Sequence, residues 1–194
     1  MPWKIEKWML QVFPGADNIY SEYRGLSRRE IAVVAAGVLD LAIAELVSKR
    51  LLDLPNEYEE FLGLSEDGRA ACGTFGSRIQ LALLVGVITP ADAGLLRSIK
   101  AIRNKFAHRI TVDFNSPQVV PLVVRLHGQW RARVSQLSHD TRAVESLDEM
   151  KPLLQSNPEA GAGLLLAVFC VFQAYFHRLY DRVDRIQGIA RPND

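Results

Sequence analysis

Apolar residues that recur every three or four positions, punctuated by helix-start signals, constrain this chain more than any other feature. The tetrapeptide SRRE, Ser27 to Glu30, has the spacing of a capping box, in which a hydroxyl and a carboxylate satisfy amides that a first helical turn leaves unpaired. Behind it Ile31, Val34, Val38 and Leu41 lead a helical pattern that runs to Leu52, with Asp40 as its polar exception. Pro55, Gly63, Gly68, Gly73 and Gly76 then break the pattern, which predicts a long connection holding a short helical turn. Helical spacing resumes with Ser77 as N-cap and stops near Gly86. TPAD restarts it at once, with Thr89 as N-cap, Pro90 at the first helical position and Asp92 near the positive end of the dipole, and this helix should reach about His108.

Farther on, ITVDFNSPQVV alternates before Ser116 and Pro117 mark another helix start, and Pro121 should shorten or distort the helix that follows. Residues 127–157 read as a weakly patterned connection, and residues 158–188 as a long C-terminal core helix entered through Pro158 and stopped at Gly188. On it Arg178, Asp181, Arg182, Asp184 and Arg185 suggest ion pairs on a solvated face, with Leu179, Val183 and Ile186 as the apolar stripe. The reading is an all-α helical bundle of about five to seven helices, one domain over residues 1–194, with the long connection after the first core helix.

Composition narrows the function classes. A chain with 48% hydrophobic residues, 23% charged residues and a net charge of +1 has the profile of an ordinary soluble globular protein. Lys+Arg 23 nearly cancels Asp+Glu 22, so the overall basic excess of a dedicated nucleic-acid binder is missing. Cys72 and Cys170 stand far apart and outside any CxxC spacing, which reads as free thiols in a reducing cytoplasm rather than a metal site. His127, His139 and His177 show no metal-ligand spacing, and GTFGSR lacks the lysine of a phosphate loop, so no cofactor is expected. MPWKIEKWMLQVF carries Lys4, Glu6 and Lys7 and reads as a short amphipathic piece, not a signal peptide. The most apolar run, residues 160–172, is short against the roughly 20 residues of a membrane span, so a buried helix and no membrane partner are expected. LALLVGVITPADAGLLRSIK has helix-turn-helix spacing, yet TPADAG offers an acid and no Arg, Asn or Gln for base edges. It reads as an αα-hairpin of the core, and specific DNA binding is not expected.

Three blocks carry a resemblance. REIAVVAAGVLDLAIAELV, GTFGSRIQLALLVGVIT and LLRSIKAIRNKFAHRITVDFNSP are similar, in order and spacing, to successive blocks of the mannitol operon repressor-like family, all-α proteins implicated in transcriptional control. The likeness covers residues 26–126. It implies a non-enzymatic regulatory protein that works through protein partners, as a homodimer. Within the third block RNKFAH also resembles the HEPN-domain signature of an Arg, a polar residue, three residues and a His, found in helical modules that include metal-independent ribonucleases.

The second resemblance implies catalytic roles for Arg103, Asn104 and His108. RNA cleavage by its own 2′-hydroxyl needs a base, an acid and positive charge for the phosphorane. His108 suits the proton transfers and Arg103 the charge, while Asn104, one turn before His108, orients the imidazole or a phosphate oxygen. One helix supplies one imidazole, so acid and base together require two chains. The alternative is structural: His108 complements the negative end of the helix dipole, Arg103 pairs with Asp40, Asp92 or another carboxylate, and Asn104 satisfies a loop carbonyl.

Overall fold

The helices that open at Arg28, Phe75, Pro90 and Pro158 each begin where the side chain of the preceding residue accepts from a free first-turn amide. A computed structural model describes residues 23, 25–64, 70–137 and 141–187. The expected N-terminal amphipathic piece, before residue 23, and His139 lie outside the described residues. Among the described residues seven α-helices follow in order: α1 (Arg28–Arg50), α2 (Pro55–Leu62), α3 (Phe75–Leu84), α4 (Pro90–His108), α5 (Val120–Leu137), α6 (Thr141–Met150) and α7 (Pro158–Tyr180), with a 3-10 turn, Lys151–Gln155, just before α7. The protein is an all-α bundle, and no strand occurs among the described residues.

Ser27 and Glu30 form the expected capping box on α1, with the Ser27 amide donating to the Glu30 carboxylate at 2.7 Å. Thr89 and Asp92 form one on α4, which ends at His108 as read from the sequence. The start of α3 differs from expectation. Its N-cap is Thr74, whose hydroxyl accepts from the Ser77 amide at 3.1 Å, while the Ser77 hydroxyl accepts in turn from the Thr74 amide. Ser77 is thus the third helical residue rather than the cap.

Two further boundaries move for local reasons. Ser116 closes a turn, its hydroxyl accepting from the Asp113 amide at 2.9 Å, and α5 starts only at Val120. Pro121 therefore falls in a first turn, where its missing amide has no helical acceptor to lose, and α5 runs on undistorted to Leu137. Much of the 127–157 stretch is helical, not a connection, because single apolar anchors such as Trp130 and Leu147 suffice to seat α5 and α6. The last helix ends at Tyr180 rather than Gly188. Beyond it the Ile186 amide donates to the Arg50 carbonyl at 2.8 Å, and Arg185 pairs with Asp53 at 2.9 Å. Contacts with the end of α1 thus replace the helical face expected there.

The core is built on α1 and α7, which run parallel. Arg28 pairs with Glu159 at one end, and the Lys49 ammonium meets the Tyr180 carbonyl at the other. Leu39, Ile43 and Leu46 of α1 and Leu165, Phe169 and Phe176 of α7 are buried, each apolar side chain contributing about 1.5–3 kcal/mol relative to exposure. Both helices span 23 residues and are, by length and composition, long and apolar enough to cross a membrane. The expectation from residues 160–172 counted only the unbroken apolar run. In the fold more than half of the apolar window of α1 and half of that of α7 is covered by the protein itself. The α3–α4 pair folds as an αα-hairpin whose connecting Val87 and Ile88 are buried.

Candidate functional site

Helix α4 buries Leu95, Leu96, Ile99, Ile102 and Phe106 on one side, against α1, α3 and α5. The remaining side is polar. At 100° per residue Arg97, Lys100, Asn104 and His108 fall within about 80° of arc. Arg97 and His108 are exposed, while Lys100 and Asn104 are half-buried. Between residues 93 and 109 the chain carries Arg97, Lys100, Arg103, Lys105 and Arg109 and no carboxylate. The acids are segregated elsewhere. Residues 53–67 hold Asp53, Glu57, Glu59, Glu60, Glu66 and Asp67 without a single Lys or Arg. A near-zero net charge therefore hides a strongly cationic helix.

Of the residues singled out in the sequence, Arg103 and Asn104 meet: an Arg103 Nη1–H donates to Asn104 Oδ1 at 3.1 Å. His108 stands one turn farther on, exposed, with no side-chain hydrogen bond or ion pair among the described residues. It is placed in the last turn of α4, where a protonated imidazole complements the helix dipole. The expected pairing of Arg103 with Asp40 or Asp92 does not form. Asp92 pairs with Arg133 at 3.0 Å, and Asp40 pairs with Arg78 at 2.8 Å. Arg103 and Lys100 act on Asp40 only through space.

Arg78 is the anchor of this region. Its guanidinium is buried and donates to the carbonyls of Leu62 and Cys72 as well as to Asp40, so it ties the connection after α2 to both α3 and α1. Burial pushes the Asp40 carboxyl above the ordinary carboxylate range, an effect larger than the opposing attraction of Arg78, Arg103 and Lys100. One carboxylate facing three cations leaves positive charge in excess at the mouth of the cluster. Lys100 lies across Gly76, where an added Cβ would displace the ammonium group.

Sequence reasoning missed Arg78, Lys100 and Arg97. The last two were legible in principle, because the 97, 100, 104, 108 spacing is that of one helix face. Arg78 was not, since nothing local marks an arginine that will be buried. Among the described residues no three His, Cys, Asp or Glu side chains gather as a metal ligand set would require. No protein-family model, curated protein or solved structure matches the chain.

Proposed function

We propose that the protein is a non-enzymatic regulatory or interaction protein, cytoplasmic and homodimeric, that engages an acidic segment of a protein partner through the exposed face of α4. The observation that carries this reading is the charge segregation over residues 93–109, from α4 into its C-cap: five cations, no carboxylate and an Asp40 already committed to Arg78. Long-range attraction to such a face speeds encounter and favours acidic partners. The inward-turned α3–α4 hairpin and the TPADAG start argue against base reading, and the likeness to mannitol operon repressor-like proteins is compatible with regulation through protein contacts.

A second reading, the HEPN-type metal-independent ribonuclease, is favoured by the Arg103–Asn104 contact with an exposed His108 one turn away. It requires two α4 helices from two chains to share a cleft, so that one imidazole removes the 2′-hydroxyl proton while the other protonates the leaving oxygen.

One set of variants separates the readings. A fluorescent poly-glutamate peptide, a single-stranded RNA and two duplex DNAs of different sequence are titrated over a salt series without added metal. The peptide should bind with affinity that falls as salt rises, Arg97→Glu and Lys100→Glu should abolish binding, and the RNA should stay intact. Peptide binding unaffected by either reversal would overturn the interaction reading, as would discrimination between the two duplexes. RNA cleavage by the wild type that disappears in both His108→Ala and Arg103→Ala, with the fold intact, would establish the ribonuclease instead; general acid–base contributions of about 100-fold to 10,000-fold make the loss easy to read.

A further inference from the structure

A groove of about 540 Å³ opens between the start of α4, the middle of α5 and the second half of α7. It is separate from the cationic face: at 100° per residue Leu95 and Asp92 lie roughly 160° and 140° around α4 from Arg97. Leu95, Trp130, Val171, Phe172 and Ala174 make its walls. Val171 is 46% exposed although it belongs to a core helix, so apolar surface here faces water. The volume falls in the range of small-molecule sites, which pair apolar walls with a few fixed polar groups.

The polar groups are Asp92, Arg133, Tyr175 and Arg178. Asp92 is 2% exposed and its oxygens are occupied. Oδ2 accepts from the Thr89 amide at 3.1 Å, the Thr89 hydroxyl at 2.6 Å and the Tyr175 hydroxyl at 3.4 Å, while Oδ1 pairs with Arg133 Nη2 at 3.0 Å. Burial, reinforced by Asp92, raises the Tyr175 hydroxyl above its ordinary range, so it remains a donor. Asp92 therefore acts inward, as the helix cap and as the group that fixes Arg133. Facing the groove are donors without acceptors. Among the described residues Arg133 has no partner other than Asp92, and the Arg178 guanidinium has no hydrogen bond or ion pair.

We infer that this groove binds an amphipathic carboxylate, with a hydrocarbon body against Leu95, Trp130, Val171 and Phe172 and its carboxylate between Arg133 and Arg178. The excess of cations over carboxylates at the polar end selects an anion, and a guanidinium fork matches a carboxylate in geometry. A positive headgroup would meet Arg178 without a free counter-charge, and an alcohol would forfeit the charge-assisted bonds.

Octanoate, octanol and octylamine share a body and differ at the head. Isothermal titration calorimetry on the full chain should show saturable one-to-one binding of octanoate, with octanol about tenfold or more weaker, the ratio expected from one charged hydrogen-bonded head. Octylamine should not bind. Arg178→Gln, at an exposed position where folding is not at stake, should bring octanoate down to the octanol level and leave octanol unchanged. Val171→Glu should abolish both. Equal affinity for octanoate and octanol, no saturable octanoate binding, or an Arg178→Gln variant that binds octanoate as the wild type does would overturn the inference.

Discussion

At the scale of single residues, Arg78 shows how one buried charge can organise a region. Its side chain is 6% exposed and joins Asp40 to two backbone carbonyls that no helix satisfies. Removing the guanidinium leaves those acceptors and a half-buried carboxylate without their donor. Breaking a buried pair from one side costs about 3–5 kcal/mol, and Arg78→Met, which keeps much of the apolar stem, should lose that much in urea unfolding. Arg78→Lys should recover little of it, because a single ammonium cannot span the three acceptors as a planar fork does. A loss under about 1 kcal/mol for Arg78→Met would show that the connection after α2 is held by other contacts. No sequence pattern announces this residue: GTFGSR reads as a turn and cap, which it is, and the burial of its arginine arises only when α1 and the α2 connection close over it.

At the scale of elements, helix starts were legible wherever both halves of the capping box were of standard type. Ser27 with Glu30 and Thr89 with Asp92 gave hydroxyl and carboxylate at the right spacing, while Thr74 with Ser77 put a second hydroxyl in the reciprocal position and was misread by three residues. The end of α7 was not legible at all. Residues 181–187 are as compatible with a helix as those before them, but the Arg50 and Leu51 carbonyls at the end of α1 draw the Ile186 amide and the Arg185 guanidinium away. Two glycines of α7 make a paired test. A Cβ at Gly161 would stand 2.9 Å from Phe114, whereas at Gly163 nothing lies within 4 Å. Gly161→Ala should therefore destabilise the protein by about 1–3 kcal/mol through overpacking, while Gly163→Ala should stabilise it by up to about 1 kcal/mol through helix propensity. Thermal melts of the two variants should shift in opposite directions. A common direction would show that Phe114 yields to the added methyl or that Gly163 is not free.

At the scale of the whole molecule, the Arg28, Asp113 and Glu159 cluster links the start of α1, the turn before α5 and the start of α7. The Arg28 guanidinium hydrogen-bonded to Asp113 holds that carboxyl below the ordinary carboxylate range. The sign follows from linkage: the folded state holds the proton less tightly than the unfolded chain, so the stability is complete above the unfolded value of about 3.9 and is lost as pH falls through the lowered folded value. Asp40, raised by burial, acts oppositely: its ionised form opposes folding above the raised value, and acidification through that value relieves the cost. Because Asp113 and Arg28 are about a third exposed, solvent screening limits their pair to roughly 0.5–1 kcal/mol. Asp113→Asn should be less stable than wild type by that amount near about pH 7, and the gap should begin to shrink as pH falls below about 3.9 and close below the lowered folded value. Denaturant midpoints over a pH series check it. A gap that persists undiminished into acid would assign the loss to the amide's packing instead of to charge.

Local signals in the chain carried the helical periodicity, the α1 and α4 caps, the end of α4 at His108 and the αα-hairpin, all written within a few residues because a helix satisfies its own backbone. The tertiary structure alone decided which charges meet. Asp40 went to Arg78 rather than Arg103, Asp92 to Arg133, and Arg178 was left facing a groove. Ion pairing depends on which faces helix packing brings together, and residues 38 or 41 positions apart leave no periodic trace of one another in the chain.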